Sequence, residues 1–400
     1  MRIPVYLDHH ATTPIDPIVL DAMMPYLKED FGNSHSSTHS YGWRSEQAVE
    51  KARGQIAASL GASTPSEIVI TSGATESNNL ALFGVMRALK ASGRRHMITT
   101  NIEHKAILDS AKHLEREGVE CTYLAVDKFG LVTLDAIRSA IRPETGLISI
   151  MAANNEIGTV NPIREIGSLA REKGVYFHTD GVQGVGKIPL HVENDFIDLL
   201  SLSAHKVYGP KGVGALYVRR KNPRVEIEAL QFGGGHERGL RSGTLNTPGI
   251  VGLGKAMELL GINHDAEALR LGELREHLFL SLKKAIPDLV LNGPDFGPQR
   301  LYNNLNISIP YVAGESMLAG LREIAISTGS ACNSSSGVGS YVLQAIGRGV
   351  DHAKASLRFG LGRFNTREEI DFAVEKVTAT VTRLRDSSPL YQLEQKRLRG

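Results

Sequence analysis

Between about residues 65 and 220, short apolar runs alternate with helical stretches, and this alternation restricts the chain to few architectures. The runs Ile68 to Ile70, Met97 to Thr100, Glu120 to Val126, Gly174 to Phe177 and Ile197 to Leu202 read as strands. Strands that alternate with helices pair into a parallel or mostly parallel sheet covered on both faces. One covering helix is well punctuated, with Asn161 as N-cap, Pro162 in its first turn and Gly174 past its end. Ser45 to Leu60 reads as an amphipathic helix ahead of the sheet. The fold class expected is α/β.

After about residue 260 the pattern changes. A long helix, Asp265 to Ala285, leads into strands near Leu289, Asn304 to Ile309, Ile324 and Ser356 to Leu361. The last helix opens with a capping box, Thr366 to Glu369, and lays Ile370, Val374, Val377, Val381 and Leu384 along one face. At 400 residues the chain exceeds what one compact core holds. The division expected is a large domain over 15–261 and a smaller α+β domain over 262–386. Residues 387–400 read as a polar, loosely held tail.

Hydrophobic residues make up 42% of the chain and charged residues 22%, the balance of a soluble globular protein. A net charge of +2 gives no basis for a nucleic-acid surface, and the basic end Lys396-Arg397-Leu398-Arg399 is too short to change that. No apolar run approaches the ~20 residues of a membrane span. Asp8, His9 and His10 stand where a signal peptide needs an apolar stretch, so a cytoplasmic location is expected. The two cysteines, Cys121 and Cys332, make no disulfide framework and fit a reducing compartment. Cys121 falls in a strand and reads as a small core residue. Cys332 falls in Ser327-Thr328-Gly329-Ser330-Ala331-Cys332-Asn333-Ser334-Ser335-Ser336-Gly337-Val338-Gly339-Ser340, a stretch that can bury almost nothing.

Lys206 is out of place. It ends Ser203-Ala204-His205-Lys206, after the apolar run Ile197 to Leu202, and leads into Gly209-Pro210-Lys211-Gly212-Val213-Gly214. A strand end in an α/β core is a costly place for an ammonium. Such a site makes a lysine amine a nucleophile able to form a Schiff base, here with pyridoxal 5′-phosphate. Ser203 and His205 bring a hydroxyl and an imidazole that suit a phosphate. Upstream, Asp180 in His178-Thr179-Asp180-Gly181-Val182-Gln183 also follows an apolar run. That cofactor needs a carboxylate against its ring nitrogen, so that the ring stays protonated and draws electrons; Gln183 is placed to reach the ring hydroxyl. A third stretch, Thr71-Ser72-Gly73-Ala74-Thr75-Glu76, opens the helical segment Glu76 to Leu89. Free N–H groups and the helix dipole there bind an anion, although Ser72 or Thr75 would also serve as an ordinary N-cap. Beside Asp180 and Lys206, the residues Gly73, Ala74 and Thr75 read as a phosphate cup.

The stretches Tyr6-Leu7-Asp8-His9-His10-Ala11-Thr12-Thr13-Pro14, Ser203-Ala204-His205-Lys206 and Arg358-Phe359-Gly360-Leu361-Gly362-Arg363-Phe364 occur here in one order and spacing. In these the chain resembles the cysteine desulfurases of the NifS/IscS type, fold-type I pyridoxal-phosphate enzymes of the class V aminotransferases, up to about residue 385. The resemblance implies that residues 1–14 return to the smaller domain. It implies that Lys206 carries the cofactor and then moves protons at the substrate, that Asp180 pairs with the ring nitrogen, and that Gln183 bonds the ring oxygen. His104 matches a histidine that stacks on the ring and takes part in acid–base steps. Thr75, Ser203 and His205 would contact the phosphate, and Thr244 would reach that of a neighbouring subunit, which implies a homodimer. Asn155 and Arg358 match the grip on the substrate carboxylate, for which a planar guanidinium is well shaped.

The implied substrate is L-cysteine, and the implied products are L-alanine and a persulfide on Cys332, whose thiolate is the reactive form. The segment around Cys332 is long enough to carry its middle more than ~10 Å, at ~3.3 Å per extended residue. The sulfur would pass to an acceptor protein such as an iron–sulfur scaffold, for iron–sulfur cluster assembly or for thio-cofactor and tRNA thiolation. No metal, membrane or direct nucleic-acid contact is implied. Two stretches depart from the family pattern: Asn333 to Gly339 after the cysteine, and Tyr391 to Gly400 at the end. They leave the sulfur acceptor open. A selenocysteine lyase, a kynureninase-like enzyme or an aminotransferase would share Lys206 and Asp180 but needs no cysteine in a long loop. A non-catalytic sulfur-relay subunit would be free to lose part of the set Lys206, Asp180, His104 and Cys332, which is intact here.

Overall fold

The computed structural model describes residues 2–262, 264–328 and 339–399. The chain opens with β1 (Val5–Tyr6), α1 (Pro17–Lys28) and α2 (Ser40–Leu60). Strands and helices then alternate: β2 (Ile68–Thr71), α3 (Ala74–Ala88), β3 (His96–Thr100), α4 (Lys105–Arg116), β4 (Glu120–Leu124), α5 (Leu134–Ala140), β5 (Thr145–Ser149), α6 (Ile163–Glu172) and β6 (Tyr176–Asp180). After β7 (Leu199–Ser203), β8 (Gly214–Val218) and α7 (Thr247–Leu259) come α8 (His264–Ala285), β9 (Val290–Leu291), β10 (Asn304–Ser308), α9 (Gly314–Gly320) and β11 (Ile324–Ala325). The chain closes with α10 (Tyr341–Ala345), α11 (Val350–Lys354), β12 (Ser356–Gly360), α12 (Arg367–Asp386) and α13 (Pro389–Arg399).

Seven strands form the main sheet in the order β2-β8-β7-β6-β5-β3-β4. Pairing is parallel from β4 through β3, β5 and β6 to β7, and β8 runs antiparallel between β7 and β2. β2 is therefore parallel to the rest, and every strand but β8 points its carboxyl end to the same edge. β2, β3, β5, β7 and β8 are buried at every residue, which is why they show no polar–apolar alternation. Ile98, Ile148, Ile150 and Phe177 pack one face against α2, α6 and α7. Met97, Leu147, Leu199 and Leu216 pack the other against α3 and α4. The α/β class expected from the sequence is the architecture seen.

A second core gathers Leu271, Leu278, Leu305, Ile307, Phe359, Ile370 and Val377 from α8, β10, β12 and α12. β10 lies antiparallel between β12 and β9. The amino terminus joins this part of the molecule, because β1 pairs with β11 through Val5 and Ile324. The expected capping box at the start of α12 forms: the Thr366 hydroxyl accepts from Glu369 N, and the Glu369 carboxylate accepts from Thr366 N.

Two local expectations are corrected. Asn161 does not cap α6; its side chain donates to Met151 O at 2.9 Å, and Pro162 precedes the helix with no side-chain cap. The end of the chain is not a loose tail. Residues Pro389–Arg399 form a helix, with Tyr391 packed on Tyr311 and beneath the Arg385 guanidinium.

One ion pair guards the open edge of the main sheet. Arg53 on α2 and Glu237 meet through two 2.7 Å bonds, with side chains 3% and 1% exposed. They also occupy the outward backbone groups of the edge strand β2: Arg53 donates to Ile68 O, and Glu237 accepts from Ile70 N. An exposed edge would invite pairing with another chain. Glu237→Ala leaves the buried guanidinium with only the exposed Glu50 as its counter-ion and uncovers that edge, so urea denaturation should show a loss of about 3 kcal/mol.

A second buried acid links the ends of β3 and β5. The Glu103 carboxylate accepts from Thr100 Oγ1 at 2.8 Å and from Met151 N at 3.0 Å. Burial raises its pKa from 4.5 to about 8, and nearby Asp180 adds to the rise. Ionising Glu103 in the folded protein is therefore a penalty that appears above pH 4.5 and grows until about pH 8. Glu103→Gln removes it. Whatever constant offset the amide brings, the variant should gain stability relative to the parent between those pH values, read as diverging urea midpoints.

Candidate active site

The chain order reverses between β3 and β5, since β4 lies outside β3 while β6 and β7 continue on the other side. A reversal of that kind opens a crevice at the carboxyl edge, where α/β proteins bind ligands. Here the crevice is a cavity of about 610 Å³, and both cores contribute to its walls. The β2–α3 turn supplies Gly73, Ala74 and Thr75, the β3–α4 turn His104, and the segment after β5 Asn155. β6 and its turn supply Asp180 and Gln183, β7 and its turn Ser203, His205 and Lys206, and β12 supplies Arg358. Eleven residues expected from the sequence thus line one cavity.

One end of the cavity is shaped for an anion. Gly73 precedes α3 with φ of 153° and makes no side-chain cap, so the first N–H groups of this fifteen-residue helix are left for a ligand. A β-carbon on Gly214 would sit 2.7 Å from Gly73 Cα, so the β8 glycine lets the cup close onto the sheet. Neither Ser72 nor Thr75 acts as N-cap. Ser72 instead donates its N–H to Glu76 at 2.7 Å, and Glu76 pairs with Arg241. His205 lies 3.1 Å from Thr12 Oγ1, and burial followed by the charge of Lys206 lowers its pKa to about 4. It meets an anion as a neutral imidazole.

Asp180 is the last residue of β6, 5% exposed and held at both oxygens. Asn78 Nδ2 donates to Oδ2 at 2.8 Å and Val182 N to Oδ1 at 3.0 Å. Asn78 comes from α3, about one turn past the cup, and nothing in the local pattern marked it. His104 caps α4 by accepting from Ala106 N at Nδ1, which leaves Nε2 as the nitrogen that can carry a proton. Gln183 donates to His10 O at 3.0 Å. Lys206 sits in a tight turn after β7 and donates Nζ to the backbone oxygens of His10 and, at 2.7 Å, Ala11. An uncapped helix start, a rigid carboxylate and a lysine amine in one cavity fit pyridoxal phosphate.

At the other end, Arg358 pairs with Asp8 at 2.9 Å and donates Nη1 to Asn155 O at 3.2 Å. The pairing is real, yet it leaves a donor over: Arg358 Nε is buried and has no hydrogen-bond partner among the described residues. That unspent N–H suits an incoming carboxylate. Asp8 also accepts from Ser327 Oγ at 2.7 Å. Next to Asn155, Glu156 accepts from Ser340 Oγ, and burial raises its pKa to about 7. The site contacts of Asp8, Glu156, Ser327 and Ser340 were not read from the sequence, because each joins distant segments.

Cys332 lies outside the described residues. The other cysteine is chemically quiet: burial pushes the Cys121 thiol up to about 12, and its Sγ lies 3.6 Å from Ala111 O. Thr244 does not line this cavity; it is exposed on the surface of the chain.

Comparisons with known proteins agree with this geometry. The aminotransferase class-V family matches residues 5–372. Cysteine desulfurase IscS of Anaeromyxobacter sp. (strain K) is 53% identical over 393 residues, which is 98% of this chain and 96% of that protein. A solved NifS-like protein superposes with a TM-score of 0.88 at 38% identity, covering 96% of this chain and 100% of its own. SspA in complex with cysteine superposes with a TM-score of 0.78 at 39% identity, covering 90% and 100%. The chain belongs to the aminotransferase class-V family, among its cysteine desulfurases, and is an enzyme dependent on pyridoxal 5′-phosphate.

Proposed function

We propose that this cavity takes sulfur from L-cysteine, releases L-alanine, and leaves the sulfur as a persulfide on Cys332. The observation that carries the reading is the meeting of Lys206, Asp180 and the spare Nε of Arg358 in one cavity. Gly73, Ala74, Thr75, Ser203 and His205 hold the cofactor phosphate, Asp180 its ring nitrogen and Gln183 its ring oxygen. The bound cofactor supplies an electron sink for charge that develops on the substrate carbons. Arg358 and Asn155 orient the substrate through its carboxylate, and Lys206 and His104 take and return protons beside it.

Cys332 supplies the nucleophile. Its thiolate attacks the substrate sulfur, the Cβ–S bond breaks with its electron pair left on carbon, and a proton completes the methyl group of alanine. The flanking residues support this role. Ser327 is bonded to Asp8, the partner of Arg358, and Ser340 to Glu156, so the described chain enters and leaves the Cys332 segment at the cavity wall. An aminotransferase reading offers no use for that placement.

The functional unit we infer is a homodimer. Phe31, Trp43 and Phe232 are 70%, 55% and 84% exposed, and the His35–His236 ring contact joins their two segments. Large aromatic side chains exposed together mark an interaction surface. The neighbouring Arg241-Ser242-Gly243-Thr244 stretch would then reach a partner's phosphate cup. We place the enzyme in the cytoplasm, where its thiols stay reduced and a sulfur acceptor such as an iron–sulfur scaffold is reached. Among the described residues no helix is long and apolar enough to cross a membrane.

Cys332→Ser should bind cofactor and L-cysteine as the parent does, yet lose persulfide formation and alanine release, because a neutral hydroxyl attacks divalent sulfur poorly. Cys121→Ser should keep turnover. Mass spectrometry of the parent after L-cysteine should show one reductant-labile sulfur on the Cys332 peptide; finding it on Cys121 would refute the assignment. Mixing Lys206→Ala and Thr244→Ala protomers should restore turnover that neither variant has alone, since one site of the hybrid carries neither lesion. A fully active monomer in sedimentation would remove the dimer.

A further inference from the structure

Lys187 has no part in the chemistry above, yet it is tied to it. The segment after β6 coils through one helical turn, with Val185 N bonded to Gly181 O and Lys187 N to Gly184 O. Gln183 and Lys187 are four residues apart on that turn and face each other, as such pairs do. Lys187 Nζ lies 3.2 Å from Gln183 Oε1. Beyond it, Lys187 and Lys206 border the same small space of about 20 Å³.

The bonds around Gln183 form a network with one polarity. His10 O is a carbonyl and only accepts, and it takes Gln183 Nε2 at 3.0 Å together with Lys206 Nζ. The amide is thereby turned so that Oε1 faces Lys187 Nζ and, at 3.2 Å, His10 Nδ1. An oxygen facing Nδ1 requires the proton there. His10 is 1% exposed, burial holds its pKa well below the ordinary value, and its Nε2 has no partner among the described residues. The ring is neutral, protonated on Nδ1 and bare on Nε2.

We propose that Lys187 is a positioning residue: it anchors the Gln183–His10 pair, so that the Gln183 amide N–H faces the cofactor and the His10 carbonyl holds the Lys206 amine. Lys187 can do this in either protonation state, since an amine and an ammonium both carry N–H to give. Burial, with the charge of Lys206 adding, lowers its pKa to about 7. Without Lys187, Oε1 keeps only His10 as a donor. Turning the amide over then costs only the contact with His10 O, so a minority share turns, and there Gln183 Nε2 donates to His10 Nδ1 and the ring proton moves to Nε2.

The proposal rests on Gln183 as a contact of the cofactor, and two readouts separate the two ideas. Nitrogen-15 spectra of histidine-labelled protein, with the His10 signal assigned through His10→Gln, report the tautomer without reference to turnover. In the parent His10 should be protonated on Nδ1. Lys187→Met should shift a measurable share to Nε2 and weaken cofactor binding about tenfold, the effect of one lost charge-assisted hydrogen bond. Lys187→Arg should return both towards the parent. A parent His10 protonated on Nε2, or a Lys187→Met protein with parental tautomer and parental affinity, would overturn the proposal. A shifted tautomer with unchanged affinity would overturn the role of Gln183 at the cofactor and leave the Lys187 anchor standing. If Lys187→Met does not fold, the parent tautomer and the Lys187→Arg spectra decide.

Discussion

The parallel sheet is buried on both faces, and that single constraint decides where chemistry can happen in this molecule. Inside the sheet the backbone groups pair along the ladders, and side chains such as Ile98, Phe177, Leu199 and Leu216 pack into the helix-covered cores. Polar side chains with room around them arise where strands stop. Asp180 is the last residue of β6, and Ser203 the last of β7, with Lys206 three residues beyond. The antiparallel β8 adds to this rather than breaking it. By reversing direction between β7 and β2 it brings the carboxyl end of β2, and with it the Gly73 cup, to the same edge.

Features written in local pattern were legible in the sequence. Continuous apolar runs marked β2, β3, β4, β6 and β7 to within a few residues, while β5 and β8 were not singled out, and an abrupt polar residue after such a run marked Asp180 and Lys206. The glycine-led helix start marked the uncapped end of α3, because an uncapped helix terminus is a property of a few adjacent residues. Features that depend on how the two cores meet were not legible. Asp8 with Arg358 and Glu156 with Ser340 join residues far apart in the chain, and no periodicity encodes them. Asn161 failed as a cap for a related reason: its Nδ2 is fixed on Met151 O, on the neighbouring segment, and its Oδ1, the acceptor a cap needs, has no partner among the described residues. The terminal helix was hidden by polar composition, since its order rests on the Tyr391 contact with Tyr311 and Arg385.

Histidines are numerous in and around the site, and its positive charge is nonetheless focused. Burial is the first cause that lowers His9, His10, His178 and His205, and it leaves them neutral at ordinary pH. A buried imidazolium near Lys206 and Arg358 would compete with them for every anion. Kept neutral, these rings act as spacers and hydrogen-bonding groups: His178 is braced between Ser149 and Ser201, and His205 against Thr12. The cations that remain at the cavity are lysines and Arg358, and the planar guanidinium is the one shaped for a carboxylate. Asp8 then prevents the opposite error. By holding Nη2 of Arg358 it partly neutralises a buried guanidinium, while Nε stays unspent for the substrate. An arginine left wholly unpaired at 5% exposure would carry a large desolvation cost, and one paired on every N–H would have nothing to bind with. The half-satisfied Arg358 lies between those limits, and its partner Asp8 reaches it because the amino-terminal strand pairs into the smaller core.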